Sequence, residues 1–171
     1  EELWQRDGGG GGRTRVMQNG NVIEKGGVNF SAVHGKLPEA VKNAFKVDSD
    51  DFFATGVSIV MHPENPFVPI IHMNIRYFEM DEQTRWFGGG IDLTPHFVDL
   101  DHAKMFHRSL KEVSDRYNPE FYPQFKEWAD RYFFLPHRGE SRGVGGIFFD
   151  QLTEQKSKLS KVQLFNYCED L

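Results

Sequence analysis

Two short stretches of this chain concentrate residue types that do chemistry. The first is Trp86–Phe97, WFGGGIDLTPHF. A glycine triplet weakens a strand or a helix, so it is carried where backbone must approach something closely or turn sharply. Asp92 follows it, between Ile91 and Leu93. A carboxylate half-buried by such neighbours needs hydrogen-bond donors, supplied by the protein or by a ligand. A surface loop with an aspartate turn cap is the other reading of the same residues.

The second stretch is Ile70–Phe78. Ile71, Met73, Ile75 and Tyr77 alternate with His72, Asn74 and Arg76. On a strand this puts three long polar groups on one face. Arginine grips a carboxylate with two parallel hydrogen bonds, so the stripe suits an anion. It equally suits the solvated outer face of an antiparallel sheet. Ser58 and His62 would share the polar face of the preceding strand.

Further polar groups are scattered. The loop His137–Gly143, HRGESRG, holds Arg138, Glu140 and Arg142 between glycines. It reads either as a surface ion-pair loop or as a receptor for a polyanion. His107 lies on the apolar side of a helix, where a histidine is usually a satisfied core residue. His62, Glu64 and His72 superficially suit a two-histidine, one-carboxylate iron site of an oxygenase, although Pro63 disturbs the strand. The sequence contains no GxSxG, HExxH or GxGxxG motif, so covalent and nucleotide-dependent chemistry is not indicated.

Periodicity supplies the elements that must hold these groups. Leu37–Val47 has helical spacing, and residues 22–34 read as a short strand pair. Phe52–Met61, Ile70–Phe78 and residues 84–93 read as strands, the last interrupted by the glycines. The eight-residue link between the first two suits antiparallel neighbours. Asp101–Tyr117 and Glu120–Phe134 read as amphipathic helices. Asp150 reads as the cap of a last helix, with Leu152, Leu159, Val162, Phe165 and Cys168 along one side. Gly8–Gly12, flanked by Arg6, Arg13 and Arg15, reads as a flexible loop, with a lid or an anion nest as alternatives. The order of elements is α+β rather than alternating β-α-β.

A chain of 171 residues suggests a single domain over 1–171. Its 16 phenylalanines permit a substantial core or a flat apolar pocket. A net charge of −5 without a basic block does not favour nucleic acid or a membrane surface. The single cysteine, Cys168, leaves no internal disulfide and no CxxC motif. No apolar run approaches the ~18 residues of a membrane span. The absence of a stop signal before Leu171 and a first residue of Glu1 make the chain read as truncated at both ends.

Five segments then resemble one family. LWQRDGGGGGRTRV, EKGGVNFSAVHG, GVSIVMHPENPFVPIIHMNIRYF, WFGGGIDLTPHF and FFLPHRGESRGVGGIFFDQL resemble the oxygen-dependent coproporphyrinogen III oxidases and span Leu3 to Leu152. The resemblance implies a large, mostly antiparallel sheet flanked by α-helices, working as a homodimer. It implies aerobic oxidative decarboxylation of coproporphyrinogen III to protoporphyrinogen IX in haem biosynthesis, with dioxygen as co-substrate. It further implies that Ser58, Asn74, Ile75 and Arg76 contact substrate and that His72 donates a proton. By the same match, Asp92 faces the pyrrole N–H groups, and Arg138 and Arg142 belong to an arginine-rich loop. His62, His72, His107 and His137 match four histidines proposed as metal ligands, while members are regarded as needing no metal or organic cofactor. Family members also extend further, with a C-terminal strand segment and a Gly-Gly-Arg loop. The implied location is cytoplasmic, or the mitochondrial intermembrane space if a transit peptide has been removed.

Two rivals stand beside this reading. One is the non-haem iron oxygenase of His62, Glu64 and His72. The other is an inactive tetrapyrrole-binding module.

Overall fold

Strand pairing dominates the computed structural model, which describes residues 1–171. The strands are β1 (Glu2–Gln5), β2 (Gly10–Gln18), β3 (Ile23–Lys36), β4 (Asp51–Pro63), β5 (Ile70–Glu79), β6 (Arg85–Thr94), β7 (Phe134–Leu135), β8 (Glu140–Ser141) and β9 (Gly146–Leu152). The helices are α1 (Glu39–Phe45), α2 (Leu100–Asp115), α3 (Phe121–Tyr132), α4 (Glu154–Ser157) and α5 (Lys161–Asp170). Seven strands form one antiparallel sheet in the order β1-β2-β3-β4-β5-β6-β9, and β7 pairs β8 separately. The expected α+β class, with a large antiparallel sheet beside helices, is what the chain adopts. No helix is long and apolar enough to cross a membrane.

The register makes the two faces different. Val57, Ile75, Gly89 and Phe149 line up across four strands, as do Ile59, Met73, Ile91 and Ile147. On this face α2, α3 and α5 bury Phe87, Ile91, Ile147, Phe149 and Leu152 against Leu110, Phe121, Phe125, Leu164 and Tyr167. Burying one Leu or Phe contributes roughly 1.5–3 kcal/mol, so this cluster fixes the register of β5, β6 and β9. The opposite face carries Ser58, Asn74, Gly90 and Phe148 in one row, and Val60, His72 and Asp92 in the next. At one end of that face α1 packs near Leu37, Val47 and Met80, over the stacked rings of Phe52, Phe78 and Trp86.

Four local readings of the sequence are corrected. The glycines do not interrupt the strand at 84–93: Gly88–Gly90 pair with Arg76, Ile75 and Asn74 inside an unbroken β6, where the absence of side chains leaves the ladder intact. Residues 22–34 are not a strand pair. Val22 lies in the bend before β3, and residues 23–34 lie in that single strand, whose partners are β2 and β4. Only part of the glycine run is a turn: Gly9 and Gly10 have φ of 114° and 80°, and Gly10–Gly12 already belong to β2. Asp150 caps no helix. It sits within β9, and the last helix starts instead at Ser160, which forms a capping box with Gln163. The buried stripe also differs from the expected one. Leu164, Tyr167 and Cys168 face the core, while Val162 and Phe165 are exposed. The helices at Leu100 and Phe121 begin within one residue of expectation, and Asp99 caps the first by accepting from the backbone of Asp101 and His102.

Candidate active site

The polar face of β4, β5, β6 and β9 becomes the floor of a concavity of about 450 Å³. Its lining includes Ser58, His72, Asn74, Arg76, Asp92 and Arg142. Strand alternation alone carries His72, Asn74 and Arg76 to this floor, and cross-strand pairing sets Ser58 opposite Asn74 and Asp92 opposite His72. Tyr132, Phe133 and Phe148 supply an aromatic wall. The rings of Tyr132 and Phe148 stack at 4.0 Å with 9° between their planes.

Asp92 is the buried charge of the site, only 3% exposed. Arg142 Nη2 donates to its Oδ2 at 2.9 Å. The Arg142 guanidinium lies 4.3 Å over the Phe133 ring, which adds a cation–π contact. The loop that carries Arg142 is held by backbone bonds. Arg142 donates to the Phe133 carbonyl, and Val144 and Gly145 exchange bonds with Leu93 on β6. His72 Nδ1 stands 3.4 Å from the same Asp92 oxygen, near enough to pair as a cation but without a formed hydrogen bond. His72 Nδ1 and Arg142 Nε are both buried without partners. A buried polar group left so costs roughly 1–3 kcal/mol, and such groups beside a paired carboxylate mark a place built for something other than stability.

Arg76 is the second cation. Its Nη1 donates to Asn74 Oδ1 at 3.0 Å, and its Nη2 lies 3.2 Å from Asp150 Oδ1. Asn74 Nδ2 donates in turn to the Val57 carbonyl at 3.4 Å. Asp150 and the aromatic wall were not among the expected site residues. The short apolar run Ile147-Phe148-Phe149 was the available strand signal, and the capping reading of Asp150 obscured it.

Not every expected residue reaches this floor. The Ile75 side chain is on the opposite face, packed against the helical core. Only its backbone lies between Asn74 and Arg76. Arg138 is exposed in the β7–β8 turn and pairs with Glu140 at 2.7 Å. His62 is opposite Lys25 near the end of β4, and His137 is exposed in the β7–β8 turn. Both ring nitrogens of His107 are engaged, Nε2 with the Val144 carbonyl at 2.9 Å and Nδ1 with the Tyr122 hydroxyl at 3.1 Å. That matches the core-histidine reading. No three His, Cys, Asp or Glu side chains gather as a metal-binding group. The four histidines therefore do not fit a shared metal, nor do His62, Glu64 and His72 form an iron triad.

A family profile described as coproporphyrinogen III oxidase matches residues 1–171. The chain is 47% identical to coproporphyrinogen-III oxidase 1, chloroplastic, of Arabidopsis thaliana, over 93% of this chain and 45% of that protein. It is 47% identical to the mitochondrial oxygen-dependent coproporphyrinogen-III oxidase of Rattus norvegicus, over 99% of this chain and 41% of the relative. It is 53% identical to the oxygen-dependent coproporphyrinogen-III oxidase of Prochlorococcus marinus strain SARG, over 88% of this chain and 44% of the relative. The chain thus spans less than half the length of these relatives.

Proposed function

The chain belongs to the coproporphyrinogen III oxidase family, and from that premise we propose that it carries the tetrapyrrole-binding floor of an enzyme of haem biosynthesis. The reaction is aerobic oxidative decarboxylation of coproporphyrinogen III to protoporphyrinogen IX. The observation that carries this reading is Asp92. It is a fixed, buried anion, clamped by Arg142 in the floor of an aromatic-walled concavity. A porphyrinogen turns four pyrrole N–H donors toward one centre, and a carboxylate with free lone pairs suits that cluster.

The chemistry balances without an organic cofactor. For each propionate, R–CH2–CH2–COO⁻ + O2 + H⁺ gives R–CH=CH2 + CO2 + H2O2. The β-carbon gives up a proton, the bond to the carboxylate breaks, and its electron pair forms the vinyl group. The two electrons removed pass to dioxygen through the electron-rich macrocycle. Asp92 steadies the positive charge that develops on a pyrrole. Arg76 holds the reacting carboxylate still, and His72 is placed to exchange a proton beside Asp92. Ser58 and Asn74 line the same floor, and Arg138 and Arg142 belong to the loop beside it.

The proposal includes dioxygen as co-substrate, no required metal and a homodimer as the working unit. Its location is the cytoplasm, or an organelle such as those named for the Arabidopsis and rat relatives. The test is aerobic incubation of the pure protein with coproporphyrinogen III, the products being identified by mass. Vinyl-bearing products support the proposal. Tight binding without conversion favours a binding module, and the absence of both overturns the reading.

A further inference from the structure

The carboxylate of Asp150 takes no part in the reaction just described, yet it meets Arg76 from two strands away. We propose that Asp150 is a positioning residue, which fixes the Arg76 guanidinium for an incoming carboxylate. The inference rests on the tetrapyrrole reading of this floor.

Arg76 is on β5 and Asp150 on β9, with β6 between them. They meet above Gly88, the residue of β6 that pairs with Arg76. A Cβ at Gly88 would stand 2.5 Å from Asp150 Oδ1 and 2.8 Å from Arg76 Nε. The missing side chain is therefore the space through which the two groups touch. On its other flank Arg76 pairs with Gly56, so no side chain crowds the guanidinium from β4 either.

Asp150 is itself held. The β6–β9 register shifts between Phe87 and Gly89. Gln151, next to Asp150, has a φ of 48°, a conformation rare for a residue with a side chain. A bulge of this kind re-aims a neighbouring side chain and recurs beside active sites. The Gln151 backbone N–H donates to Asp150 Oδ1 at 2.9 Å and locks the carboxylate toward Arg76.

The guanidinium is thereby fixed at both ends, Nη2 by Asp150 at 3.2 Å and Nη1 by Asn74 at 3.0 Å. Five N–H donors in a rigid plane leave others free for a ligand. The pair is partly exposed, at 40% and 37% for the two side chains, so its Coulomb attraction is screened. Orientation, rather than stability, is what such a pair supplies. A floppy arginine must be ordered when ligand arrives, and a pre-oriented one need not be.

The test compares wild type with Asp150→Ala, Asp150→Asn, Arg76→Ala and the double variant Arg76→Ala/Asp150→Ala. Affinity is read by fluorescence with coproporphyrin III, the stable oxidised tetracarboxylate, and kcat and KM with the porphyrinogen. Asp150→Ala should weaken binding and raise KM about tenfold, the scale of one charge-assisted hydrogen bond, with a much smaller change in kcat. Asp150→Asn keeps the acceptor and should recover most of the loss. Removing Asp150 from Arg76→Ala should cost nothing more, and the melting temperature should not move. Wild-type affinity in Asp150→Ala, an asparagine no better than alanine, tighter binding on loss of the charge, or a full additional loss in the double variant would each overturn the inference alone. A wild-type protein that neither binds the porphyrin nor converts the porphyrinogen overturns the functional reading and this inference with it.

Discussion

Arg142 donates to Asp92 at 2.9 Å across fifty residues of sequence. Asp92 comes from β6, the strand next to the sheet edge, and Arg142 from the loop that leads to the edge strand β9. The contact closes that loop over the polar face and makes the local field of the site. Removing Arg142 would leave the buried Asp92 carboxylate without its cation, which is costly, whereas Arg142 is 40% exposed and solvent can screen its charge.

Asp92→Asn tests whether the charge serves the reaction. Asparagine keeps the shape and still accepts from Arg142. If the carboxylate stabilises a developing cation, kcat should fall by about 10²–10³ while substrate binding weakens far less. A lower melting temperature with near-normal kcat would reduce Asp92 to a structural pin for the loop.

Neighbouring glycines should behave differently when given a methyl group. At Gly88 the new Cβ meets the ends of the Asp150 and Arg76 side chains, which can move. At Gly89 it stands 2.6 Å from the Asn74 carbonyl and 3.1 Å from the Phe149 ring, within backbone and core. Gly88→Ala should therefore fold with almost unchanged melting temperature and lose ligand affinity. Gly89→Ala should lose stability by about 1–3 kcal/mol through overpacking. Thermal melts beside binding curves check this, and equal melting temperatures for the two variants would contradict it.

Thorough chelation should leave turnover intact, because the histidines at 62, 72, 107 and 137 do not gather around one point. The assay is activity after exhaustive chelation, with metal content measured alongside. Loss of turnover that returns with one equivalent of a divalent metal would reverse the assignment.

Glu79 gives a pH test on the helical side of the sheet. The Tyr77 hydroxyl donates to its carboxylate, and Lys161 pairs with it at 3.2 Å, so its pKa is held below the ordinary range. A depressed carboxyl stabilises the fold above its unfolded pKa, about 4.3, and that stability is lost as pH falls through the lower folded value. Glu79→Gln should thus be less stable than wild type near neutrality, and the gap should close in acid. Denaturant melts at several pH values measure it, and a gap that persists at the acid end would contradict the assignment.

The residues of the chain determined much of this by themselves. Alternation along Ile70–Phe78 set His72, Asn74 and Arg76 on one face, because side chains on a strand alternate with period two whatever lies beside it. The glycine triplet and Asp92 announced a close approach, and the spacing of α2 and α3 announced their buried stripes. Pairing across long separations was not legible in the same way. Strand β9 returns to the sheet only after two helices and a hairpin, and its short apolar run was outweighed locally by a helix-cap signal at Asp150. The sequence period says which residues share a strand face. It does not say which strand lies alongside, nor where a bulge turns a carboxylate. Only the tertiary structure brought Arg142 to Asp92, and Asp150 to Arg76 above Gly88, because those contacts depend on strand order and on the absence of a side chain between them.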